Sequence, residues 1–381
     1  MKLNAKIYLK TFIILMLFCS AIHHLNAQGC VAVRGGGCAS DLHSGNNLSK
    51  NEFSIGANYR YFRSFRHFRG DHEETERVEN GTEVINYSSF VDVTINYGIT
   101  NRMNATVTLP FSNIVRSSMY EHGGNPPNGL GFRASTSSNG IGDVRLGVNY
   151  WLVNPEEMKS YNTSVGAGIK LPTGDYNYKD TFYNQGPNRD QTIETVVDQS
   201  IQPGDGGTGF YLELQSFKTI SNHFSITATG YYLFNPRETN GVFTRNSTTT
   251  QFSVSDQFFA RLGMNYITTN NKLSFYLGGR IEGIPAADAI GGSEGFRRPG
   301  HTIAIEPGIN YQHNQLNMSL NVPIALYRNR IQSYSDKVRT NETGFFTNGD
   351  AAFADYLISF GVTYRFKKKS SDIDFSEVNH Q

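Results

Sequence analysis

The chain has 381 residues, 34 basic against 33 acidic, with 38 glycines, 26 phenylalanines and 21 tyrosines beside a single tryptophan. This near-neutral balance, with no basic stripe, excludes a nucleic-acid partner. Beyond the N-terminus no segment approaches the roughly 18 apolar residues of a helical membrane span, and long amphipathic helical patterns are scarce, so the composition points to β-structure.

Residues 1–27 carry Lys2, Lys6 and Lys10, then the apolar run "TFIILMLFCSAI", then "LNA" before Gln28. This reads as a secretory signal peptide cleaved after Ala27, with an apolar run too short to span as a helix. A lipid anchor at Cys30 would call for leucine where Ala27 stands. Without the leader the chain has 31 basic and 33 acidic residues, a net charge of −2. Residues 28–51 form an N-terminal segment holding Cys30 and Cys38. An exported chain with an even pair is expected to close it as a disulfide. The alternative, a metal or redox pair, fits the spacing poorly. The segment is also a candidate plug.

From 52 to 366 twelve segments alternate polar and apolar residues: 52–62, 90–99, 104–111, 143–153, 161–171, 209–217, 224–234, 257–267, 273–284, 301–311, 316–327 and 356–366. In 273–284 Leu273, Phe275, Leu277 and Ile281 share one face, and Ser274, Tyr276, Arg280 and Glu282 the other. Each segment has about the length a tilted strand needs to cross a bilayer. Five connectors are short: 100–103, 154–160, 221–223, 269–272 and 313–315. Six are long: 64–89, 112–142, 172–208, 235–256, 285–300 and 328–355. The pattern predicts an all-β fold, a transmembrane antiparallel up-and-down β-barrel of about 12 strands in a bacterial outer membrane. Short turns would face the periplasm and long loops the outside. A polar tail, 367–381, would end in the periplasm.

The two faces differ in chemistry. One lacks charge, as in Val91, Val93 and Ile95. The other carries Arg60, Asp92, Arg145, Lys170, Glu213, Arg261, Arg280, Glu282, Glu306 and Arg365. These ten are the candidate lumen and solute path. Six basic and four acidic groups predict no strong ion selectivity. A pair such as Arg280 with Glu306 would equally fill the lumen. A soluble sandwich also alternates, but the leader, the even strand lengths and the two connector classes favour a membrane barrel. Tyr97, Phe111, Tyr150, Tyr266, Tyr311 and Phe366, near strand ends on the apolar face, are the expected interfacial girdles.

Prolines punctuate the outward strands. Pro172, Pro236 and Pro285 come roughly 28–30 Å up a tilted strand, where pairing is expected to stop. Pro110 and Pro323 come earlier, inside the membrane band on the lumen parity, and Pro307 stands on the strand beside Pro323. A proline inside a barrel wall marks a bulge or an interrupted ladder, so these three form the candidate wall kink.

Catalysis is not expected. The histidines fall at turns, loops, strand ends and tails, and no nucleophile motif surrounds them. His67 and His72, with Asp71 or Glu73, match no known metal spacing and read as a solvated outer loop. No cofactor and no metal are expected.

The stretches "NGIGDVRLGVNYWL" (139–152), "GIKLPTGD" (168–175) and "QPGDGGTGFYLEL" (202–214) resemble motifs of the putative MetA-pathway of phenol degradation family, outer-membrane barrels related to the long-chain fatty-acid transporter group. "CVAVRGGGC" with "RYFRSFRHFRG" (60–70) is similar to its Bacteroidetes-type versions. The resemblance implies passive passage of a small hydrophobic or amphipathic solute, with that solute and outer-membrane lipid as partners. In the fatty-acid transporters an N-terminal segment plugs the barrel and a wall kink gives lateral release, roles that would fall to residues 28–51 and to Pro110 or the Pro307/Pro323 pair. The alternative is a barrel with a filled lumen, acting as a surface or interaction protein through its long loops. Its mark would be Arg–Glu pairs closing the interior.

Overall fold

The computed structural model describes residues 48–157, 159–245, 247–269 and 271–366. The leader, the Cys30/Cys38 pair, most of the 28–51 segment and the 367–381 tail lie outside the described residues. Twelve antiparallel strands close into one barrel. They are β1 (Phe53–Arg69), β2 (Ile85–Gly98), β3 (Met103–Ser118), β4 in two pieces (Ala134–Ile141 and Arg145–Trp151), β5 (Tyr161–Lys170) and β6 (Gly209–Thr219). Then come β7 (Phe224–Phe234), β8 (Gln257–Ile267), β9 (Leu273–Ile284), β10 (Gly300–His313), β11 in two pieces (Leu316–Asn321 and Ile324–Asn329) and β12 (Ala351–Phe366). Pairing of β1 with β12, from Phe53 opposite Phe366 to Phe68 opposite Ala351, closes the ring. Closure pairs the strands around the ring and removes sheet edges, which a hydrocarbon environment demands.

Side chains sort by parity as alternation predicts. Val148, Ile169, Leu212, Leu262 and Leu277 are exposed on the outer surface, while Ser54, Ser164, Thr227 and Ser319 are buried inside. The six girdle aromatics each expose between 40% and 45% of their surface. Phe53 stacks on Phe366 at 4.2 Å across the closing seam. At the short-turn end Leu48 is fully buried, and Asn51 N–H donates to the Gly98 carbonyl at 2.8 Å.

Several strands run further than expected. β1 continues to Arg69, β2 begins at Ile85, β3 reaches Ser118 and β12 begins at Ala351, so parts of the expected loops 64–89, 112–142 and 328–355 are strand. Beyond the hydrocarbon no face must be apolar, so alternation fades while the ladder continues. The outer piece of β4, "ASTSSNGI", has no apolar period yet pairs with β3 from Phe111 opposite Ile141 to Ser118 opposite Ala134. The outer prolines behave as expected: β5, β7 and β9 end at Lys170, Phe234 and Ile284, just before Pro172, Pro236 and Pro285.

The third long loop folds into the barrel. Its Val197 and Ile201, both fully buried, pack on Phe62, Phe90, Ile114 and Leu357 from the lumen faces of β1, β2, β3 and β12. Ser138 Oγ donates to the Ile201 carbonyl. A short 3-10 turn, Gln199–Ile201, therefore sits inside the outer half of the lumen.

Glycines thin the lumen wall where large rings lie against it. A Cβ on Gly168 would stand 2.3 Å from the Leu146 carbonyl oxygen and 2.4 Å from the Tyr211 ring. Gly168→Val is expected to cost about 1–3 kcal/mol through overpacking, read as a lower urea midpoint for loss of the heat-modifiable gel form. Gly279→Ala, whose Cβ would meet nothing within 4 Å, should leave the midpoint unchanged or slightly higher. Equal midpoints for the two variants would refute the packing argument.

Candidate functional site: the broken wall and the charged lumen

In an antiparallel ladder the N–H and C=O of one residue face the same neighbour. The Pro110 carbonyl accepts from Gly142 N–H at 2.7 Å, so its missing N–H also faces β4. There β4 breaks, between Ile141 and Arg145. The Pro307 carbonyl likewise accepts from Val322 N–H at 3.0 Å, and β11 breaks between Asn321 and Ile324. The Pro323 carbonyl accepts from Leu357 N–H on β12 at 3.0 Å. Two strands are thus interrupted where a neighbouring proline cannot donate.

The β4 break is closed by a polar clasp drawn from three distant stretches. Thr173 Oγ1 donates to the Gly142 carbonyl at 2.8 Å and accepts from Val144 N–H at 2.9 Å. Asp143 accepts from Gly174 N–H and Asp205 N–H, both at 3.0 Å. Gly204 N–H donates to the Asp175 carbonyl at 2.9 Å. Lys170 pairs with Asp205 and lies 3.8 Å from Asp143. A Cβ on Gly174 would stand 2.7 Å from Gly204 Cα, so the two backbones meet where no side chain fits. The stretches 139–152, 168–175 and 202–214 therefore build one structure.

The expected lumen charges fall into small networks. Arg60 binds Asp92 at 2.8 Å, and Arg145 lies 3.9 Å from the same carboxylate. Arg261 binds Glu306 at 3.0 Å, Arg280 lies 3.6 Å from it, and Arg280 binds Glu282 at 2.8 Å. Glu213 accepts from the Gln215 amide, Lys170 belongs to the clasp, and Arg365 pairs with Glu52 at the short-turn end. Sequence reasoning passed over Asp143 and Asp205. Asp143 opens the alternating segment 143–153 on the parity of Arg145 and could have been found there, whereas Asp205 lies in a long connector and only its motif marks it. Below the charges the lumen is lined by uncharged polar groups: Asn96 donates to Ser54 at 3.2 Å, Thr106 to Asn96 at 2.8 Å, and Ser359 to Asn58 at 3.0 Å. At the outer end of the charged belt lies an inner cavity with about 930 Å³ of empty space, its solvent-filled mouth included, lined by Asp143, Arg145, Lys170, Asp205, Leu233 and Arg298 among others.

The outer loops hold a second cluster. His72 is exposed and takes no part. His67 is buried, its Nε2 accepting from Val84 N–H at 2.9 Å. Nδ1 therefore carries the proton and donates to Asp350 at 2.6 Å. Arg77 bridges Glu74 at 2.7 Å and Asp350 at 3.1 Å, while Glu73 is taken by Arg66. His67, Glu74 and Asp350 offer ligand atoms within 4.8 Å of one another, the grouping best placed to hold a metal among the described residues. The Arg77 guanidinium already supplies the positive charge, so the cluster works as an ion-pair knot. Burial pushes the Asp350 carboxyl up, but the His67 hydrogen bond and Arg77 outweigh it and hold the group well below the usual carboxylate range. Its stabilising contribution is present above the ordinary value of about 3.9 and is lost as pH falls through the lower folded value. Acidification below that ordinary value should make the outer loops susceptible to protease in the wild type. Asp350→Asn should already be susceptible at neutral pH and change less on acidification. Identical pH profiles would refute this role.

A family model described as "Putative MetA-pathway of phenol degradation" matches residues 45–335. No curated protein sequence matches significantly. Among solved structures, the COG4313 outer membrane channel from Pseudomonas putida F1 is 13% identical, covers 85% of this chain and 100% of its own, and has a TM-score of 0.56. A Pseudomonas aeruginosa FadL homologue is 8% identical over 89% of this chain and 96% of its own, with a TM-score of 0.39. The P. putida toluene transporter TodX is 13% identical over 87% and 95%, with a TM-score of 0.40.

Proposed function

Because the chain belongs to the Putative MetA-pathway of phenol degradation family, whose barrel it shares with an outer-membrane channel, we propose that it passes a small hydrophobic or amphipathic solute across the outer membrane by a passive route. The observation that carries this reading is the clasped break beside Pro110. The inner cavity reaches the clasp residues Asp143, Lys170 and Asp205. The lumen below is narrowed by ion pairs, so a wide aqueous pore is not the natural use of this barrel. An interrupted wall next to a sheltered cavity suits a solute too apolar for the polar lower lumen.

The test is uptake of radiolabelled toluene by a bacterial host stripped of its own hydrophobic-solute channels. Expression of the full chain should raise the initial rate, without dependence on ATP. A rate equal to that of the empty host would overturn the proposal. The second reading, a filled-lumen surface protein, is favoured by the Arg261–Glu306 and Arg280–Glu282 pairs and would be left standing by that result.

A further inference from the structure

Among the outer loops lies a second cavity, with about 960 Å³ of empty space, its mouth included. Five guanidiniums line it, those of Arg77, Arg116, Arg297, Arg298 and Arg330, against the carboxylates of Asp336 and Asp350. The other acids nearby, Glu74, Glu121, Asp288 and Asp198, are bound to Arg77, Arg116, Arg297 and Arg298. Arg297 is only 1% exposed, and its Nε has no hydrogen-bond partner among the described residues.

Arg298 lines this cavity and the inner one alike, so it stands in the partition between them. Its two terminal nitrogens donate to the two oxygens of Asp198 at 2.8 and 2.7 Å. Asp198 also lies 3.6 Å from Arg116. It caps the inward 3-10 turn by accepting from Ser200 N–H at 3.0 Å. Asp198 is thus the charged anchor of an inward loop that Val197 and Ile201 also hold by packing and Ser138 by a hydrogen bond.

We propose that the outer cavity receives the carboxylate of a small amphipathic monoacid, which takes the place of Asp198 on Arg298 and Arg116 and so loosens the 197–202 segment, leaving it held by its apolar packing and hydrogen bonds. This rests on the channel reading above and adds the solute's head group. The exchange is like for like. A planar, two-oxygen anion suits the guanidinium fork. The partition keeps its balance of buried charge, so neither guanidinium is left uncompensated. A neutral solute offers no such replacement: it passes beside the resting latch without being bound there, so the exchange adds affinity for an acid and is not required for toluene. Asp198, once displaced, moves with its loop toward solvent.

Benzoate and the neutral benzamide, alike in size and shape, are the probes. Equilibrium dialysis of the full-length protein in detergent should show saturable benzoate binding, at least about tenfold tighter than benzamide, the scale of a charged hydrogen-bonded pair. Arg298→Gln should bring benzoate down to the benzamide level. Asp198→Asn keeps Arg298 but removes the competing carboxylate, so benzoate should bind several-fold tighter than to wild type. Equal affinities for the two probes, or benzoate binding untouched by Arg298→Gln, would overturn the proposal. If Arg298→Gln loses its heat-modifiable barrel form, Asp198→Asn decides alone: tighter binding supports the exchange, and unchanged or weaker binding sinks it. Toluene uptake by the same wild-type protein separates the two levels. Uptake without benzoate preference leaves the channel and removes only the carboxylate, whereas no uptake removes the channel.

Discussion

Glu306→Ala should lower stability by about 3–5 kcal/mol, the usual cost of removing one partner from a buried ion pair. Glu306 is only 1% exposed and compensates two guanidiniums, Arg261 at 3.0 Å and Arg280 at 3.6 Å. Arg280 keeps Glu282, so the loss falls mainly on Arg261, whose guanidinium also sits over the Tyr276 ring at 4.7 Å. Glu306→Gln retains shape and an acceptor and should lose less. The measurement is the urea midpoint of the heat-modifiable form in detergent. A Glu306→Ala midpoint within about 1 kcal/mol of wild type would fall below that range and mean that the belt is solvated and does not close the lumen.

Asp143→Ala should open the clasp. It strips the acceptor from two backbone N–H groups, those of Gly174 and Asp205, and removes a carboxylate facing Lys170. A hydrogen bond to a charged group is worth about 1.5–3 kcal/mol, so losing two should loosen the 171–175 and 204–205 stretches together. Toluene uptake should then change several-fold relative to wild type while the barrel remains heat-modifiable. The comparison is Asp175→Ala, whose side chain accepts from Asn177 N–H within its own turn and should alter uptake little. Equal uptake by the two variants would remove the clasp from the transport path.

Most of the barrel was legible because lipid imposes its chemistry on every second residue. Leu273, Phe275 and Leu277 had to alternate with polar partners, and β7, β8 and β9 have the bounds read from the sequence. Outside the hydrocarbon that constraint vanishes, which is why Ala134–Ile141 read as loop. The Arg280–Glu306 pair was foreseeable from neighbouring strands. The shorter Arg261–Glu306 contact was not, because it reaches from β8 past β9 to β10, and only side-chain lean decides it. The inward loop was equally hidden: Val197 and Ile201 are two apolar positions in a polar stretch, and nothing local tells which wall they meet. The clasp joins the Asp143 carboxylate to backbone N–H groups 31 and 62 positions away. Its residues stood out only as motifs, while what brings them together is three-dimensional closure.

The inward loop and the charged belt should leave only a narrow path through this barrel. Single-channel conductance in a planar bilayer tests it directly, comparing the full chain with a variant whose residues 179–202 are replaced by a short Gly–Ser linker. The clasp residues Asp143, Gly174 and Asp205 remain in that variant, and its heat-modifiable mobility confirms the barrel. The wild type should show a small conductance and the trimmed barrel one several-fold larger. A wild type that already conducts as well as the trimmed form would contradict that narrow path.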